Sequence, residues 1–303
     1  MRVPTPAVVL LFTLATAAPG HAASEIGLVE QMVGPGSLLE RTLAKTPFAD
    51  KVLCLRLPDS PVEFGVIDDA SLKAWVGPLR YTTNPNLLAV VDGPEDRPAL
   101  RQRFVPSSRG SERVVASMNL PPRRTYEVEH SAYFEPGFQW GGEVESGKFG
   151  FGLAGGSAPT GGKIADDGFS ARFIWKGKGD GTASVGVYVY SVDRTQNLPY
   201  GDEFELPGFT ISPGEWFRAK MRLTTNSELS AKDGKIEIWI DDELLFERDG
   251  IQWQSAGEGP AIDQVQFSSF HGGNTDQWSP ADEVHARFAD MCVYKNREEL
   301  PES

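Results

Sequence analysis

The chain has 303 residues, a formal net charge of -13 at pH 7 and two cysteines. This acidic balance argues against nucleic acid as the main partner, because such binding needs a broad basic field. An acidic polymer is not excluded, since charges farther apart than a Debye length of about 8–10 Å are mostly screened and a local basic groove is enough.

The N-terminus is typical of an export signal. Arg2 supplies a short basic start, an apolar run extends from Ala7 to Ala18, and small residues lead to Ala23. The run is too short for a permanent membrane span, and no later segment reaches about 18 uninterrupted apolar residues. We therefore expect residues 1–22 to be a signal peptide and the protein to be secreted or periplasmic, with no membrane contact after signal removal.

Residues 23–50 are predicted to form an N-terminal extension. Their weak helical pattern, from Glu25 to Lys45, is interrupted by the glycines and proline at positions 34–36, and Ser37 is a candidate cap for the short segment that follows. From Lys51 onward, short runs of alternating apolar and polar residues are separated by Gly, Pro, Asn and Asp. This pattern predicts an all-β domain built as a two-sheet sandwich over residues 51–303.

Six segments have the strongest strand pattern. They are Tyr126 to Phe134, Phe169 to Trp175, Ser184 to Ser191, Trp216 to Thr224, Lys235 to Ile240 and Gln264 to Phe270. Turn-forming residues separate several of these segments. Residues 95–113 are rich in charged and turn-forming residues, and we expect a loop with one short strand there.

Cys54 and Cys292 are the only cysteines, and each lies in a strand-like run. Export places them in a compartment where disulfides persist, so a disulfide between the first and last strands is expected. Two buried free thiols are the alternative, and the spacing of a CxxC metal or redox motif is absent.

Successive side chains of a strand point to opposite faces, which sorts the residues of the predicted strands. In Phe169 to Trp175, the aromatic residues share one face while Ser170 and Arg172 point the other way. In Val187 to Tyr190, the valines mark the core face and the tyrosines share the opposite face. The faces without apolar residues are free for a ligand.

The segment after Lys148 alternates phenylalanine with glycine, so Lys148 is predicted to share a face with Gly150 and Gly152. If this face joins the one that carries Tyr188 and Tyr190, then a cation, a guanidinium, a hydroxyl and two phenols surround a trough at the glycines. One interpretation is a groove for a polyanion. The alternative is an ordinary solvated sheet face.

Four ordered motifs within residues 126–294 resemble polysaccharide lyase family 14, whose members include alginate and glucuronan lyases with a β-jelly-roll fold. The motifs are Phe138 to Trp140 leading to Lys148 to Gly156, then Gly168 to Trp175, then Tyr188 to Tyr190, and finally Phe270 to Asn274 with Trp278. The resemblance implies a β-jelly-roll (concanavalin-like) sandwich and a lyase that cleaves a uronate-containing polysaccharide by β-elimination.

The resemblance implies a catalytic site made of Lys148, Ser170, Arg172, Tyr188 and Tyr190. β-Elimination needs a base for the C5 proton, compensation of the carboxylate charge and an acid for the departing O4. Arg172 or Lys148 is expected to stabilise the carboxylate, a tyrosine to be the base, the same or the other tyrosine to be the acid, and Ser170 to position substrate. A phenol acts as a base near neutral pH only if nearby cations lower its pKa.

Three further residues are expected to bind substrate, namely His271, Gln139 and Trp278. No histidine lies between Lys148 and Tyr190, so a histidine contribution to the groove would come from His271 on another strand. We expect no cofactor and no bound metal, and a monomer whose partner is an acidic polysaccharide.

Other classes of function are less consistent with the sequence. Residues 237–243 contain paired carboxylates of the kind that a retaining glycosidase uses, but alternating isoleucines indicate a core strand that ends in a turn at Asp241-Asp242. Zinc-type histidine spacing is absent, and the acidic turn at Asp166-Asp167 is too common a feature to indicate calcium. A noncatalytic, lectin-like sandwich that keeps the groove is the main alternative to a lyase.

Overall fold

The computed structural model describes residues 51–195 and 200–295. The predicted signal peptide and the predicted extension, residues 1–22 and 23–50, lie outside the described residues. Within the described part, two large antiparallel sheets pack face to face around a common apolar core. The predicted all-β jelly-roll sandwich is confirmed.

Sheet I contains eight strands. They are β1 (Lys51–Cys54), β3 (Leu88–Asp92), β4 (Pro98–Phe104), β8 (Thr125–Phe134), β14 (Trp216–Thr224), β15 (Gly234–Ile240), β16 (Glu243–Ile251) and β18 (Val284–Lys295). Seven of them lie side by side in the order β16-β15-β14-β8-β18-β4-β3, and β1 pairs with β18. One face of this sheet covers the core and the other carries polar and charged residues.

Sheet II also contains eight strands. They are β2 (Leu79–Thr83), β7 (Val114–Arg123), β9 (Ser146–Lys148), β10 (Phe151–Gly156), β11 (Gly168–Gly177), β12 (Ala183–Tyr190), β13 (Asp202–Ile211) and β17 (Ile262–His271). Their order is β13-β12-β11-β10-β17-β7-β2, and the short strand β9 pairs with both β11 and β17.

The remaining elements are short. A two-stranded ribbon joins β5 (Pro106–Ser107) to β6 (Gly110–Ser111), helix α1 spans Asp69–Val76, and single 3-10 turns occur at Pro85–Leu87, Pro94–Asp96 and Asp276–Trp278. Helix α1 was not predicted, although its cap is a recognisable signal. The Asp68 carboxylate accepts a hydrogen bond from the Ser71 backbone N–H at 2.8 Å, which satisfies a donor of the first turn.

The six strongest predicted strands are all present, each within two residues of its predicted bounds. They were recognisable because every second residue is buried, as in β14. Residues 95–113, where a loop with one short strand was expected, contain more strand than that, because β4 spans Pro98–Phe104 and β5 and β6 follow it. In β4, Leu100, Gln102 and Phe104 are buried, and the polar Gln102 on the core face obscured the alternation.

Aromatic rings fill much of the space between the sheets. Phe134 of sheet I lies 5.7 Å from the Phe149 ring and 5.6 Å from the Trp175 ring, both on the side of sheet II. The buried Trp175 Nε1 donates to the Trp140 carbonyl at 2.9 Å, so its burial leaves no donor unpaired. A side chain at Gly147 would overlap the Trp175 ring, which explains why glycine lies at this position of β9.

His130 of β8 is fully buried in this core, with its ring 5.4 Å from that of Phe173. Neither of its ring nitrogens has a hydrogen-bond partner among the described residues. Burial lowers the pKa of His130 from 6.5 to about 3, so the ring is neutral at physiological pH. A Cβ at Gly150 would overlap the His130 ring, and Gly150 has a φ of 71°, a conformation that glycine adopts readily.

Cys54 and Cys292 form a disulfide, as predicted. The two residues are directly opposite each other in the pairing of β1 with β18. The bond therefore joins the first described strand of sheet I to its last strand across 238 positions of sequence.

Loss of this disulfide should destabilise the fold. Cross-links that close long loops restrict the unfolded chain, and removal of a native disulfide commonly costs about 2–5 kcal/mol. We expect the double variant Cys54→Ala/Cys292→Ala to show a correspondingly lower urea midpoint than the oxidised parent, with the reduced parent close to the double variant. Equal midpoints for all three proteins would show that the bond contributes little.

Acid should weaken the fold between about pH 6.5 and pH 3. The folded protein holds the pKa of His130 at about 3, below its ordinary 6.5, so the unfolded chain binds more protons in this window. The stabilising contribution is complete above pH 6.5 and is lost as the pH falls. In His130→Leu, the free energy of unfolding should depend less on pH, by about 1.4 kcal/mol per pH unit within the window. Urea titrations from pH 4 to pH 7 measure this slope, and an unchanged slope would contradict the assignment.

Candidate active site

The face of sheet II that points away from sheet I, which we term the open face, carries most of the predicted catalytic residues. On β11, Ser170 and Arg172 point to this face, while Phe169, Ala171 and Phe173 pack in the core. On β12, Tyr190 is directly opposite Ser170, and Tyr188 is directly opposite Arg172. The strands therefore alternate as the sequence pattern predicts.

Arg172 is a buried cation at the centre of this face. Its side chain is only 5% exposed, and its guanidinium carbon lies 5.7 Å from the Tyr188 ring and 5.8 Å from the Tyr190 ring. Burial lowers its pKa, yet an arginine keeps its charge in proteins. Its Nε and Nη2 atoms have no hydrogen-bond partner in the part of the chain that the structure describes. Such an arrangement suits a carboxylate, which accepts two parallel N–H bonds from a guanidinium.

The glycines of β10 do not leave the expected trough. A Cβ at Gly152 would overlap the Ala171 carbonyl and would lie 2.8 Å from Arg172 Cγ, so the arginine side chain occupies this space. Gly150 faces His130 in the core rather than the open face. The two glycines instead allow large side chains to pack against the backbone from opposite sides.

Lys148 reaches the site from β9, where it lies between Ile174 of β11 and Phe270 of β17. Its Nζ is 4.8 Å from the centroid of the Tyr188 ring and 5.2 Å from that of the Phe270 ring. Burial of the ammonium, followed by repulsion from Arg172, lowers the pKa of Lys148 from 10.5 to about 7. A substantial share of the lysine is therefore a neutral amine near pH 7.

The two tyrosines form a hydrogen-bonded pair, with their hydroxyl oxygens 3.3 Å apart. The Gly201 N–H donates to the Tyr188 hydroxyl at 3.2 Å, and the Gly162 N–H donates to the Tyr190 hydroxyl at 3.0 Å. Tyr190 is 1% exposed, whereas Tyr188 is only partly buried. Tyr188 is thus the phenol that faces the space beside Lys148.

The expectation that nearby cations lower the pKa of the phenols is wrong for Tyr188. Its pKa is raised well above 10, first by burial and then by the hydrogen bond and the charge of Tyr190. The Gly201 N–H and Arg172 act in the opposite direction but are weaker influences. Tyr188 is therefore protonated at neutral pH, which favours proton donation over proton removal.

Ser170 does not contact the space around Arg172 as the sequence suggested. Its side chain is fully buried, and its hydroxyl donates to the Pro159 carbonyl at 2.7 Å. This bond ties β11 to the loop that contains Gly162, whose N–H holds Tyr190. Ser170 thus supports the tyrosine pair, and its expected contact with substrate is not consistent with this geometry.

His271 lies on the core side of β17, not on the open face. Its ring packs parallel to Phe138 at 5.6 Å, its Nε2 lies 2.7 Å from the Gln139 carbonyl oxygen, and burial lowers its pKa to about 4. Because side chains alternate along a strand, Phe270 occupies the open face instead. The expectation that His271 lines the groove is therefore wrong.

Gln139 and Trp278 belong to the loops beside β9. The Gln139 Oε1 accepts from the Ala281 N–H at 2.7 Å, and its amide donates to the Asp282 carboxylate at 3.0 Å, so both ends of the side chain are used within the protein. Trp278 covers Gly273, where a Cβ would overlap the indole ring. These contacts indicate a supporting role rather than the expected binding of substrate.

Two residues of the open face were missed. Phe270 lies under both Lys148 and Arg113, whose guanidinium carbon is 4.9 Å from the ring centroid. Arg113 is fixed by donation to the Gly273 carbonyl at 2.8 Å, and its charge helps to lower the pKa of Lys148. Alternation along β17 from Gln266 would have placed Phe270 on this face, but no local pattern marks Arg113.

The acidic segment of β15 and β16 is structural, as expected. Glu237 forms ion pairs with Lys235 at 3.2 Å and with Arg222 at 3.9 Å on the outer face of sheet I. Asp241 and Asp242 have φ values of 48° and 69° and form the tight turn between β15 and β16.

The described residues contain neither a cluster of metal ligands nor a helix that could span a membrane. No three His, Cys, Asp or Glu side chains converge as metal ligands within residues 51–195 and 200–295. None of the helices in the same ranges has the length and apolar character to cross a bilayer.

Comparison with protein families identifies the chain. The model for polysaccharide lyase 14 matches residues 109–291, which is more than half of the 303 residues. The chain belongs to polysaccharide lyase family 14. It is therefore a polysaccharide lyase, and the resemblance of the four ordered motifs is confirmed. A search of curated protein sequences found no match.

Solved structures of alginate lyases share the fold of this lyase. Alginate lyase Aly36B, in a complex with an alginate trisaccharide, is 20% identical and has a TM-score of 0.70. The aligned region covers 82% of this chain and 99% of the Aly36B chain. The marine alginate lyase from Aplysia kurodai is 16% identical, with a TM-score of 0.66 and the same coverage. Alginate lyase vAL-1 from Chlorella virus is 16% identical, with a TM-score of 0.54 over 69% of this chain and 89% of its own.

The unpartnered guanidinium of this lyase predicts opposite effects on stability and binding. Replacement of a buried charge by an apolar residue of similar length is often neutral or stabilising, by about 1–4 kcal/mol. We expect Arg172→Met to keep or raise the urea midpoint while calorimetry detects no binding of a uronate oligosaccharide. Arg222→Met, which removes an ion pair with Glu127 on the outer face of sheet I, is the control and should leave binding unchanged. A marked loss of stability in Arg172→Met would indicate a structural role.

Proposed function

We propose that this lyase cleaves a uronate-containing polysaccharide of the alginate or glucuronan type by β-elimination. The observation that carries the proposal is the buried Arg172 guanidinium, whose free donors lie beside a partly neutral Lys148 and a protonated Tyr188. Arg172 binds the uronate carboxylate and offsets the negative charge that develops on it when the C5 proton leaves. An uncharged polysaccharide has no group that meets this cation.

Lys148 is the base in this proposal. A base must be unprotonated at the working pH, and a pKa of about 7 gives Lys148 a substantial neutral fraction there. Arg172 contributes twice, because its charge lowers the pKa of Lys148 and also acidifies the C5 proton through the bound carboxylate.

Tyr188 is the acid that protonates the departing O4. It is protonated at neutral pH, partly exposed, and placed with its ring 4.8 Å from the Lys148 Nζ. Tyr190 is buried behind it and positions the Tyr188 hydroxyl at 3.3 Å. The Gly201 N–H, at 3.2 Å, stabilises the phenolate that remains after the proton is given away.

The step balances without a further reactant. The C5–H bond breaks as Lys148 takes the proton, a C4=C5 double bond forms, and the C4–O4 bond breaks as Tyr188 protonates O4. After the step, Lys148 carries the proton from C5 and Tyr188 is a phenolate. Transfer of a proton from Lys148 to Tyr188 restores the resting state.

The placement of base and acid supports a particular stereochemistry. Lys148 and Tyr188 both project from the open face, so both reach the sugar from one side. In mannuronate and glucuronate, an equatorial O4 and the axial C5 proton lie on the same side of the ring, whereas guluronate and galacturonate place them on opposite sides. We therefore infer a preference for mannuronate or glucuronate residues.

The related structures support an acidic substrate. Structures of Aly36B hold an alginate trisaccharide or tetrasaccharide, and both variants carry alanine in place of a lysine, while one also carries alanine in place of a tyrosine. Lysine and tyrosine are the residue types that we assign to proton transfer. Export to the periplasm or the medium, supported by the signal-like N-terminus and the disulfide, would bring the enzyme to such polymers.

The ultraviolet absorbance of the unsaturated product gives a direct test of cleavage. The parent should release this product from polymannuronate or glucuronan, and release little from polyguluronate or polygalacturonate. Lys148→Ala and Tyr188→Phe should each lower kcat by about 10²-fold or more, because a positioned base or acid is removed. Tyr190→Phe should have a smaller effect, since that phenol acts through Tyr188.

The pH profile separates the roles of the two residues. A neutral base requires kcat/KM to rise as the pH increases through about 7 and to level off above it. If the parent binds uronate oligosaccharides but yields no unsaturated product on any polymer, the lectin-like alternative replaces the lyase. If Tyr188→Phe and Lys148→Ala keep parental rates, the assignment of base and acid is wrong.

A further inference from the structure

A row of side chains crosses the whole open face from the site to the edge of sheet II. Its members, in order, are Tyr188, Arg172, Gly152, Gln266, Ser117 and Tyr81. They lie on β12, β11, β10, β17, β7 and the edge strand β2 respectively. Neighbouring strands are about 4.8 Å apart, so the four steps from Arg172 to Tyr81 span about 19 Å. A polymer that crosses the strands would follow this row.

The charges at the two ends of the row give it a direction. On the far side of Tyr188, edge strand β13 places Glu203 directly opposite Tyr188, and Glu205 follows two residues later on the same strand. Glu203 is paired with Lys176 at 2.5 Å, but Glu205 has no ion pair among the described residues. On the other side of the site, Arg113 lies above the same ring as Lys148. A polyanion is therefore favoured toward β2 and disfavoured toward β13.

The middle of the row includes an amide that the protein does not use. Gln266 is 3% exposed, yet its side-chain amide makes no hydrogen bond within the described ranges. Ser117, directly opposite Gln266, is fully buried, and its hydroxyl donates to Gln264 Oε1 at 3.4 Å, so its donor is used within the protein. Buried polar groups in folded proteins are normally satisfied. A sugar hydroxyl, which donates and accepts, or a carboxylate, which accepts, would satisfy the Gln266 amide.

Tyr81 ends the row with an exposed ring. Its side chain is 45% exposed, and no aromatic, cationic or hydrogen-bonding group of the described chain contacts it. Its position opposite Ser117 places Tyr81 on the open face, and its phenol is near enough to Arg172 to influence the pKa of that guanidinium. Tyr81 also lies outside residues 109–291, the part of the chain that matches the family.

We propose that Gln266 and Tyr81 form a distal subsite for an acidic polysaccharide, in which a sugar ring away from the cleavage point stacks on Tyr81. This inference rests on the proposed function of the site at Arg172. Gln266 binds a polar group of an intervening sugar, and the apolar face of a pyranose ring covers the exposed phenol. The subsite holds the polymer on the β2 side while the bond beside Tyr188 is cleaved.

Binding of oligosaccharides of increasing length tests the subsite. The probes are di- to octasaccharides of the uronate polymer that the parent cleaves, and Lys148→Ala is used as background so that they stay intact during calorimetry. In this background, Tyr81→Ala should weaken the longest probes by about 3- to 10-fold, as expected for the loss of one aromatic contact. The disaccharide affinity should not change, since a disaccharide held at Arg172 does not extend to the Tyr81 ring. With Lys148 intact, Tyr81→Ala should raise KM on the polymer and leave kcat unchanged.

Two control variants separate stacking from other effects. Tyr81→Phe keeps the ring and should retain the affinity for long probes. Leu244→Ala, on sheet I, removes an apolar side chain with the same 45% exposure and should change nothing.

The outcomes distinguish the subsite from the function on which it rests. Equal losses for short and long probes, or no loss for any probe in Tyr81→Ala, would overturn the subsite and leave the lyase assignment intact. Binding of no uronate probe at any length, together with no cleavage by the parent, would overturn both. A length-dependent loss in Tyr81→Ala that Tyr81→Phe does not show supports the proposal.

Discussion

The burial of the Arg172 guanidinium is the interaction on which the site depends. Removal of a cation from water is costly unless partners replace the lost hydration, and here two of its nitrogen atoms have no partner among the described residues. The protein tolerates this cost because Gly152 allows the side chain to lie against the backbone and the tyrosine rings cover it. Under the proposed function, the substrate carboxylate supplies the missing hydrogen bonds.

The same charge also sets the protonation states around it. Lys148 and Arg172 repel each other in a poorly solvated place, and the ammonium responds with a lowered pKa. Tyr188 responds mainly to burial, and its hydrogen bond to Tyr190 keeps the proton on the pair. Two groups with ordinary pKa values near 10 are thus shifted in opposite directions by their surroundings, which under the proposed function makes one the base and the other the acid. Burial is the largest cause of both shifts, so both depend on how little solvent reaches Lys148 and Tyr188.

The supporting core explains why these side chains meet at all. Lys148 comes from a strand of only three residues that lies between β11 and β17. On the core side, Gly147 packs under Trp175, and Gly150 packs against His130. Bulkier residues at either glycine would push this segment away from the sheet and displace Lys148 from Arg172. The residues around His271, Gln139 and Trp278, expected to bind substrate, instead stabilise the loops beside this strand.

Much of the sheet framework was predictable because burial alternates with period two along strands. That rule alone placed Arg172, Tyr188 and Tyr190 on one face, and it recovered six strands. It failed where the backbone departs from regular pleating, as at Gly150, whose positive φ turns it toward the core. It also failed for β4, where the polar Gln102 occupies the core face of a strand in a region rich in turn formers.

The direction of the pKa shifts could not be read from sequence, because it depends on burial and not on residue type. Cations near a phenol suggested a lowered pKa, but the loss of solvent around Tyr188 outweighs their charge. Arg113 illustrates a related limit, since it lies just before β7 and approaches Lys148 only across the Phe270 ring of β17. The pairing of β17 with both β9 and β7 brings these residues together.

The acidic net charge of the protein is compatible with a polyanionic substrate, because the positions of the individual charges near the groove matter more than their sum. Most interactions beyond a Debye length are screened. The net charge of -13 therefore opposes binding of the substrate less than one carboxylate inside the groove would. The carboxylates nearest the site lie on β13, beyond Tyr188, at one end of the row. Under the proposed function, cleavage beside Tyr188 leaves a fragment over this acidic edge and another held toward β2. With Glu203 paired to Lys176 and Glu205 unpaired among the described residues, we expect the fragment over β13 to leave before the one held toward β2.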